Sequence, residues 1–304
     1  MGVGCIGGVG TAKEHRGKGY ATQLFDDAST KCYAEGIDFM IISGDRSLYR
    51  RAGCRKVGED YEAAISVAQA EQLNSGVSIV SCTEADISTL SAIYRSEPVR
   101  FLRSREVYER ALDCCVVMNR FSGFWLIKKG DAVRGYAIVS KPGDRDTTVR
   151  LAEYAGERTA IIGALALIGK AYNRQNVGLH VLGVDRLMQE LLSEEGIVLQ
   201  PSHSAGTVQI VNFPQLMNRL RPYFEEILGV AEASRLQFTA EDGTYQIRYG
   251  SDSLTIPERG ELAHLIFGTR EEMVADRLAS ESKAAELMRQ VLPIPALWYG
   301  INYV

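Results

Sequence analysis

Nine residues near the N-terminus, Lys13-Glu14-His15-Arg16-Gly17-Lys18-Gly19-Tyr20-Ala21, limit what this chain can fold into more than any other stretch. Before them runs an apolar, glycine-spaced segment, Val3 to Thr11, that predicts a strand. After them Ala21, Leu24, Phe25, Ala28 and Cys32 recur at helical spacing and predict a helix from Tyr20 to Glu35, stopped by Gly36. Gly17 and Gly19 let the backbone approach a ligand closely, and the helix start behind them presents N–H groups with no intrahelical partner. Arg16 and Lys18 bring positive charge to the same place. Strand, basic glycine loop and helix, in this order, make an oxyanion cradle that suits a pyrophosphate. Amides of the glycine-spaced strand, those of Val9 and Thr11 among them, can pair edge-on with an extended amide-bearing ligand.

Two other glycine-loop readings fail on detail. Gly2-Val3-Gly4-Cys5-Ile6-Gly7 spells GxGxxG, but a dinucleotide turn needs a strand before it and a helix directly after it. A P-loop needs four residues between its glycines and Ser or Thr after its lysine. Gly10 and Gly17 are separated by six residues, and Lys18 is followed by Gly19.

Composition narrows the function classes. The 304 residues carry 34 Lys and Arg against 38 Asp and Glu, so no global basic surface recruits nucleic acid or an anionic membrane. Local basic clusters are therefore local anion sites. Cys5, Cys32, Cys54, Cys82, Cys114 and Cys115 show neither CxxC nor Cys/His ligand spacing, and no metal site is expected. No uncharged apolar run reaches membrane-spanning length. Met1 leads into Gly2-Val3-Gly4 without a basic leader, and the expectation is a cytoplasmic chain.

At about 100–200 residues per domain, this length predicts two or three domains. The first segment reads strand, loop, helix, strand (Phe39 to Ser43), short helix (Ser47 to Ala52) and strand (Tyr61 to Val67), a mixed α/β layer. Gln72-Leu73-Asn74-Ser75-Gly76 reads as a linker. The second segment opens with a helix after Thr83, where Thr83 and Asp86 form a capping box. A hairpin follows, Phe124 to Ile127 and Val133 to Val139 about Lys129-Gly130-Asp131, then helices Arg158 to Tyr172 and Asp185 to Glu194. The third segment predicts a strand Val208 to Val211, one amphipathic helix Pro214 to Leu228, and a hairpin about Asp242-Gly243 from strands Arg235 to Thr239 and Tyr245 to Tyr249. Helices Glu261 to Phe267 and Ser280 to Gln290 precede an apolar tail, Leu292 to Val304. A terminus holding Trp298, Tyr299, Ile301 and Tyr303 is expected to dock.

Arg16-x-x-Gly19-x-Ala21 resembles the Arg/Gln-x-x-Gly-x-Gly/Ala pattern of the GNAT superfamily of N-acetyltransferases. Ser47-Leu48-Tyr49-Arg50-Arg51-Ala52-Gly53-Cys54 is similar to the Tyr-x-x-x-Gly-Phe segment of many such enzymes, with Cys54 in place of the aromatic. The resemblance implies acetyl-CoA as co-substrate, bound by Val9, Thr11, Arg16, Gly17, Lys18, Gly19, Tyr20 and Ala21. It implies Tyr49 as the group that protonates the departing thiolate. A tyrosine that merely caps the core, with its hydroxyl in water, explains the same residue. Arg50 and Arg51 read better as a solvated helix face than as phosphate ligands.

In element order the whole chain looks like the enhanced-intracellular-survival (Eis-like) acetyltransferases. That likeness implies an α/β (α+β) chain in three parts: the C-terminal half of a catalytic GNAT domain (1–69), a degenerate GNAT domain (70–203) and a sterol-carrier-protein-like α+β domain (204–304). Leu151-Ala152-Glu153-Tyr154-Ala155-Gly156-Glu157-Arg158 lacks the coenzyme loop, and Glu153 and Glu157 would repel a pyrophosphate, so the second part is expected to be structural. The family also implies the α-carboxylate of Val304 as base or relay for the acceptor amine, and assembly as a homo-oligomer. A complete GNAT domain begins upstream of the coenzyme strand, so the expectation is an N-terminally truncated form. The function expected is acetyl transfer from acetyl-CoA to a small-molecule or peptide primary amine through a direct ternary complex. The rival is a non-catalytic lipid-binding or scaffold protein with a remnant GNAT domain, a reading that requires a void in the third part lined by Phe238, Ile247, Leu254, Ile256, Leu265 and Phe267.

Overall fold

The computed structural model describes residues 1–73, 76–204, 206–269, 271, 278 and 281–303. The first segment runs β1 (Val3–Ile6), α1 (Tyr20–Ala34), β2 (Phe39–Ile42) and α2 (Ser47–Arg51). Next come β3 (Asp60–Ser66), α3 (Val67–Gln72), β4 (Val77–Ser81), α4 (Ile87–Arg95), α5 (Arg105–Cys114), β5 (Val116–Val117), β6 (Arg120–Lys129), β7 (Ala132–Ser140), β8 (Thr148–Gly156), α6 (Arg158–Ala171), β9 (Asn176–Val181), α7 (Arg186–Glu194) and β10 (Gln200–Ser202). The chain closes with β11 (Thr207–Ile210), α8 (Phe213–Arg219), α9 (Arg221–Leu228), α10 (Val230–Arg235), β12 (Leu236–Glu241), β13 (Thr244–Tyr249), β14 (Asp252–Ile256), α11 (Arg259–Phe267) and α12 (Lys283–Val291).

The backbone gathers into two compact units, Met1–Glu59 with His203–Ala296, and Asp60–Ser202 with Leu297–Tyr303. In the first unit, α1 connects β1 to β2 as a crossover, and the two strands lie parallel from Val3 opposite Phe39 to Ile6 opposite Ile42. β11 adds antiparallel to the other edge of β2, Thr207 opposite Ile42. Asp38, fully buried, fixes this layer: its carboxylate accepts from Gly2 N at 2.6 Å, Arg219 Nη1 at 2.8 Å and Gln215 Nε2 at 2.9 Å. Three donors around one carboxylate offset the cost of burying it.

The expected strand from Val3 to Thr11 is shorter, ending at Ile6. Gly8 takes a left-handed φ of 64°, which carries the chain off the ladder. The single helix expected from Pro214 to Leu228 is two, because Pro222 opens α9 and cannot continue the hydrogen bonding of α8. Asp242 and Gly243 both have positive φ, 49° and 77°, and turn β12 into β13 as expected. Phe238, Ile247, Leu254, Ile256, Leu265 and Phe267 are all buried and fill the core of this unit.

The second unit is an eight-stranded sheet in the order β10-β3-β9-β8-β7-β6-β4, with β5 on β6. β8 and β9 are its parallel pair, joined by α6. β3, read with the first segment, is hydrogen-bonded here, Tyr61 opposite Val181 and Ser66 opposite Asn176. α6 is apolar on almost every side and packs into the sheet through Ile161, Leu165 and Ile168, while Leu90, Tyr94 and Tyr108 of α4 and α5 join a separate core with Phe124 and Ile138. Of the expected linker, Gln72 ends α3 and residues 74 and 75 lie outside the described residues.

Candidate functional site

The basic loop of the first unit leaves a run of backbone donors free. Lys13–His15 forms one 3-10 turn, Arg16 Nε donates to the Thr11 carbonyl at 3.2 Å, and Gly17 and Gly19 turn the chain with φ of 77° and 80°. The first helix-type bonds run from Thr22 N and Gln23 N to the Gly19 carbonyl. Gly17, Lys18, Gly19, Tyr20 and Ala21 therefore keep N–H groups without a partner among the described residues. No acidic side chain stands in the first turn of α1, so the positive end of the helix dipole is uncompensated. A Cβ added at Gly8, Gly10, Gly17 or Gly19 would meet nothing within 4 Å, so open space lies over this backbone. A phosphate-bearing ligand fits such a surface, with charge from Arg16 and Lys18.

Upstream, the parallel ladder closes with Ser43 N donating to the Ile6 carbonyl at 2.9 Å. From Gly8 to Thr11 no backbone N–H is engaged among the described residues, although the stretch is loop and not strand as expected. The Val9 carbonyl accepts from Arg46 Nη1 at 3.3 Å, a contact that sequence reasoning missed. Its signal was a cation placed shortly after the second parallel strand.

Tyr49 sits on α2 and is 3% exposed. Its ring lies 5.5 Å from that of Phe25, in a cluster with Met40, Ile42, Cys54 and Val211 against which Ile6 and Val9 also pack. Tyr49 and Val9 thus share one apolar cluster. Burial pushes the Cys54 thiol up to about 12 and raises that of Cys5, so neither is a thiolate near neutral pH. Arg50 pairs with Asp45 at 3.3 Å on the exposed face of α2, in line with a solvated role. Val304 lies outside the described residues.

At the β8–α6 turn of the second unit, a carboxylate of the chain itself takes up the donors. Glu97 Oε1 accepts from Gly156 N and from Arg158 Nη1, both at 2.8 Å, and Arg158 Nε also pairs with Asp185. Glu153, expected to repel a pyrophosphate, is buried and already paired. It binds Arg103 bidentately at 2.8 and 2.7 Å and accepts from the Tyr136 hydroxyl at 2.6 Å.

The tail docks on this second unit. Trp298 Nε1 donates to the Ala152 carbonyl at 2.7 Å, Ile301 N to Glu153 at 3.1 Å, and Asn302 accepts from Arg103 Nε at 2.6 Å.

Comparison with known proteins agrees with this architecture. Residues 1–57 match the family model described as an acetyltransferase (GNAT) domain. No curated protein matches the chain. Among solved structures, a GCN5-related N-acetyltransferase from Anabaena variabilis superposes with a TM-score of 0.65 at 16% identity, covering 97% of this chain and 81% of that one. A GCN5-related N-acetyltransferase from Kribbella flavida gives 0.61 at 13% identity, covering 97% and 80%. Eis1 from Mycobacterium abscessus gives 0.58 at 12% identity, covering 97% and 82%. The chain has the mixed α/β fold of these GNAT structures, and its first 57 residues match a GNAT acetyltransferase domain.

Proposed function

We propose that the chain is an N-acetyltransferase that moves acetyl from acetyl-CoA to a primary amine directly, with both substrates bound together. One observation carries this reading: the unpartnered N–H groups from Gly17 to Ala21, beside Arg16 and Lys18, within a stretch that matches an acetyltransferase domain. Arg16, Gly17, Lys18, Gly19, Tyr20 and Ala21 hold the coenzyme pyrophosphate, and amides of Val9 and Thr11 pair with its pantetheine arm. The coenzyme supplies the acetyl group as a thioester. Backbone N–H groups near Val9 to Thr11 face the charge that develops on the carbonyl oxygen. Tyr49 gives its proton to the departing sulfur, and the α-carboxylate of Val304 relieves the incoming ammonium of its proton.

The neutral thiols of Cys5 and Cys54 support direct transfer over an acetyl-cysteine route. Glu97 on the donors of the β8–α6 turn supports one coenzyme per chain. In this Eis-like reading the parts are a catalytic half (1–69), a degenerate GNAT domain (70–203) and a sterol-carrier-like domain (204–304), assembled as a homo-oligomer.

The test is initial-rate kinetics with acetyl-CoA and a panel of aminoglycosides, polyamines and lysine peptides. Intersecting double-reciprocal lines are expected. Parallel lines would contradict direct transfer, and coenzyme binding with no amine acetylated would contradict the activity.

A further inference from the structure

The second unit contains a cavity of about 460 Å³ on the sheet face opposite α6. Its wall uses alternate residues of neighbouring strands: Thr148, Arg150 and Ala152 of β8, Gly178 and His180 of β9, and Glu62 of β3. Val149 and Val177, between them, belong to the core that holds α6, while Leu151 and Leu179 of that core also reach the lining. The volume falls in the usual range of small-molecule sites, about 300–1,000 Å³, and far exceeds one phosphate ion.

Charge sets the chemistry. In a chain of formal charge -4, this lining carries four arginines and lysines against two carboxylates. Arg150 is paired with Glu62 at 3.3 Å, and Asp146 is taken up by Gly143 N at 2.8 Å. Arg120, Lys141 and Arg145 make no side-chain hydrogen bond or ion pair among the described residues. Hydroxyls of Ser140, Thr147 and Thr148 stand in the same lining. Guanidinium forks beside hydroxyl donors suit a phosphate better than a point charge does. The floor is rigid, because Trp298 is fixed by its bond to Ala152 and stacks on His180 at 3.6 Å.

We propose that this cavity binds an organic phosphate about the size of a nucleotide, through Arg120, Lys141 and Arg145, at a site separate from the basic loop of the first unit. The chain has two tryptophans, so Trp125→Phe leaves Trp298 as the sole indole reporter on the cavity floor. Adenosine 5′-diphosphate titrated into this variant is expected to change Trp298 fluorescence saturably, with inorganic phosphate much weaker. Arg120→Glu/Arg145→Glu is expected to weaken that response at least about tenfold, and Arg16→Glu/Lys18→Glu to leave it unchanged. An absent or non-saturating response would overturn the proposal, as would one insensitive to Arg120→Glu/Arg145→Glu. Equal midpoints for inorganic phosphate and the nucleotide would overturn the size assignment. Calorimetry on the Arg16→Glu/Lys18→Glu chain reads the same affinity with Trp125 in place.

Discussion

The indole of Trp298 lies on the imidazole of His180, with ring centroids 3.6 Å apart and planes 15° from parallel. The same imidazole has Nε2 3.0 Å from Asp60 and Nδ1 3.1 Å from Glu62. Carboxylates only accept, so a ring bonded to one on each nitrogen carries both protons. Burial disfavours that cation, but the bonds to Asp60 and Glu62 outweigh it and His180 titrates above the usual imidazole range. A cation against the tryptophan face adds attraction.

This arrangement gives the second unit a pH dependence of known sign. The folded pKa of His180 lies above the unfolded one, so its stabilisation is fully present below the unfolded pKa, about 6.5. It is lost as pH rises through the folded value. Thermal midpoints are expected to fall over that window in the parent chain, and to fall less in His180→Gln. Identical slopes for both would show that the imidazole is neutral.

Removing the charge of Glu153 leaves Arg103 buried without its counter-ion, since the Arg103 side chain is 1% exposed. Glu153→Gln is expected to cost about 3–5 kcal/mol in urea unfolding. Arg103→Met together with Glu153→Met is expected to recover part of that loss. A cost below about 1 kcal/mol for Glu153→Gln would mean that Asn302 and the Tyr94 ring hold the Arg103 cation without a charged partner.

Gly300 has a φ of 51°, and a Cβ there would overlap Glu153 Oε2. Gly300→Ala is expected to release the tail at a cost of about 2 kcal/mol or more. Faster hydrogen exchange confined to residues 297–303 is the readout. Unchanged protection would place the tail's hold elsewhere.

Tyr49→Phe keeps the ring in its cluster and removes the proton donor. On the proposed mechanism kcat falls by about 10²-fold or more while coenzyme affinity holds. Full turnover would return Tyr49 to the core-capping role.

What could be read in the sequence was local. The basic loop, the Thr83 and Asp86 capping box and the Asp242-Gly243 turn each depend on residues a few positions apart, and the structure shows each element. Non-local pairings left no comparable trace. Nothing in Thr207–Ile210 names Phe39–Ile42 as its partner, and nothing in Asp60–Ser66 names Asn176–Val181. β14 was legible in principle, because Leu254 and Ile256 alternate with Ser253 and Thr255, but five residues after a hairpin give a weak period. The partner of Glu153 was not legible either, because Arg103 is 50 residues away in sequence.

Acetyl-CoA binding by calorimetry, on this 304-residue chain and on Arg16→Glu/Lys18→Glu, tests the central claim most directly. The account predicts one coenzyme per chain with roughly micromolar affinity, about -8 kcal/mol, lost in the double variant. Binding that survives the double variant, or none by the folded parent chain, would contradict it.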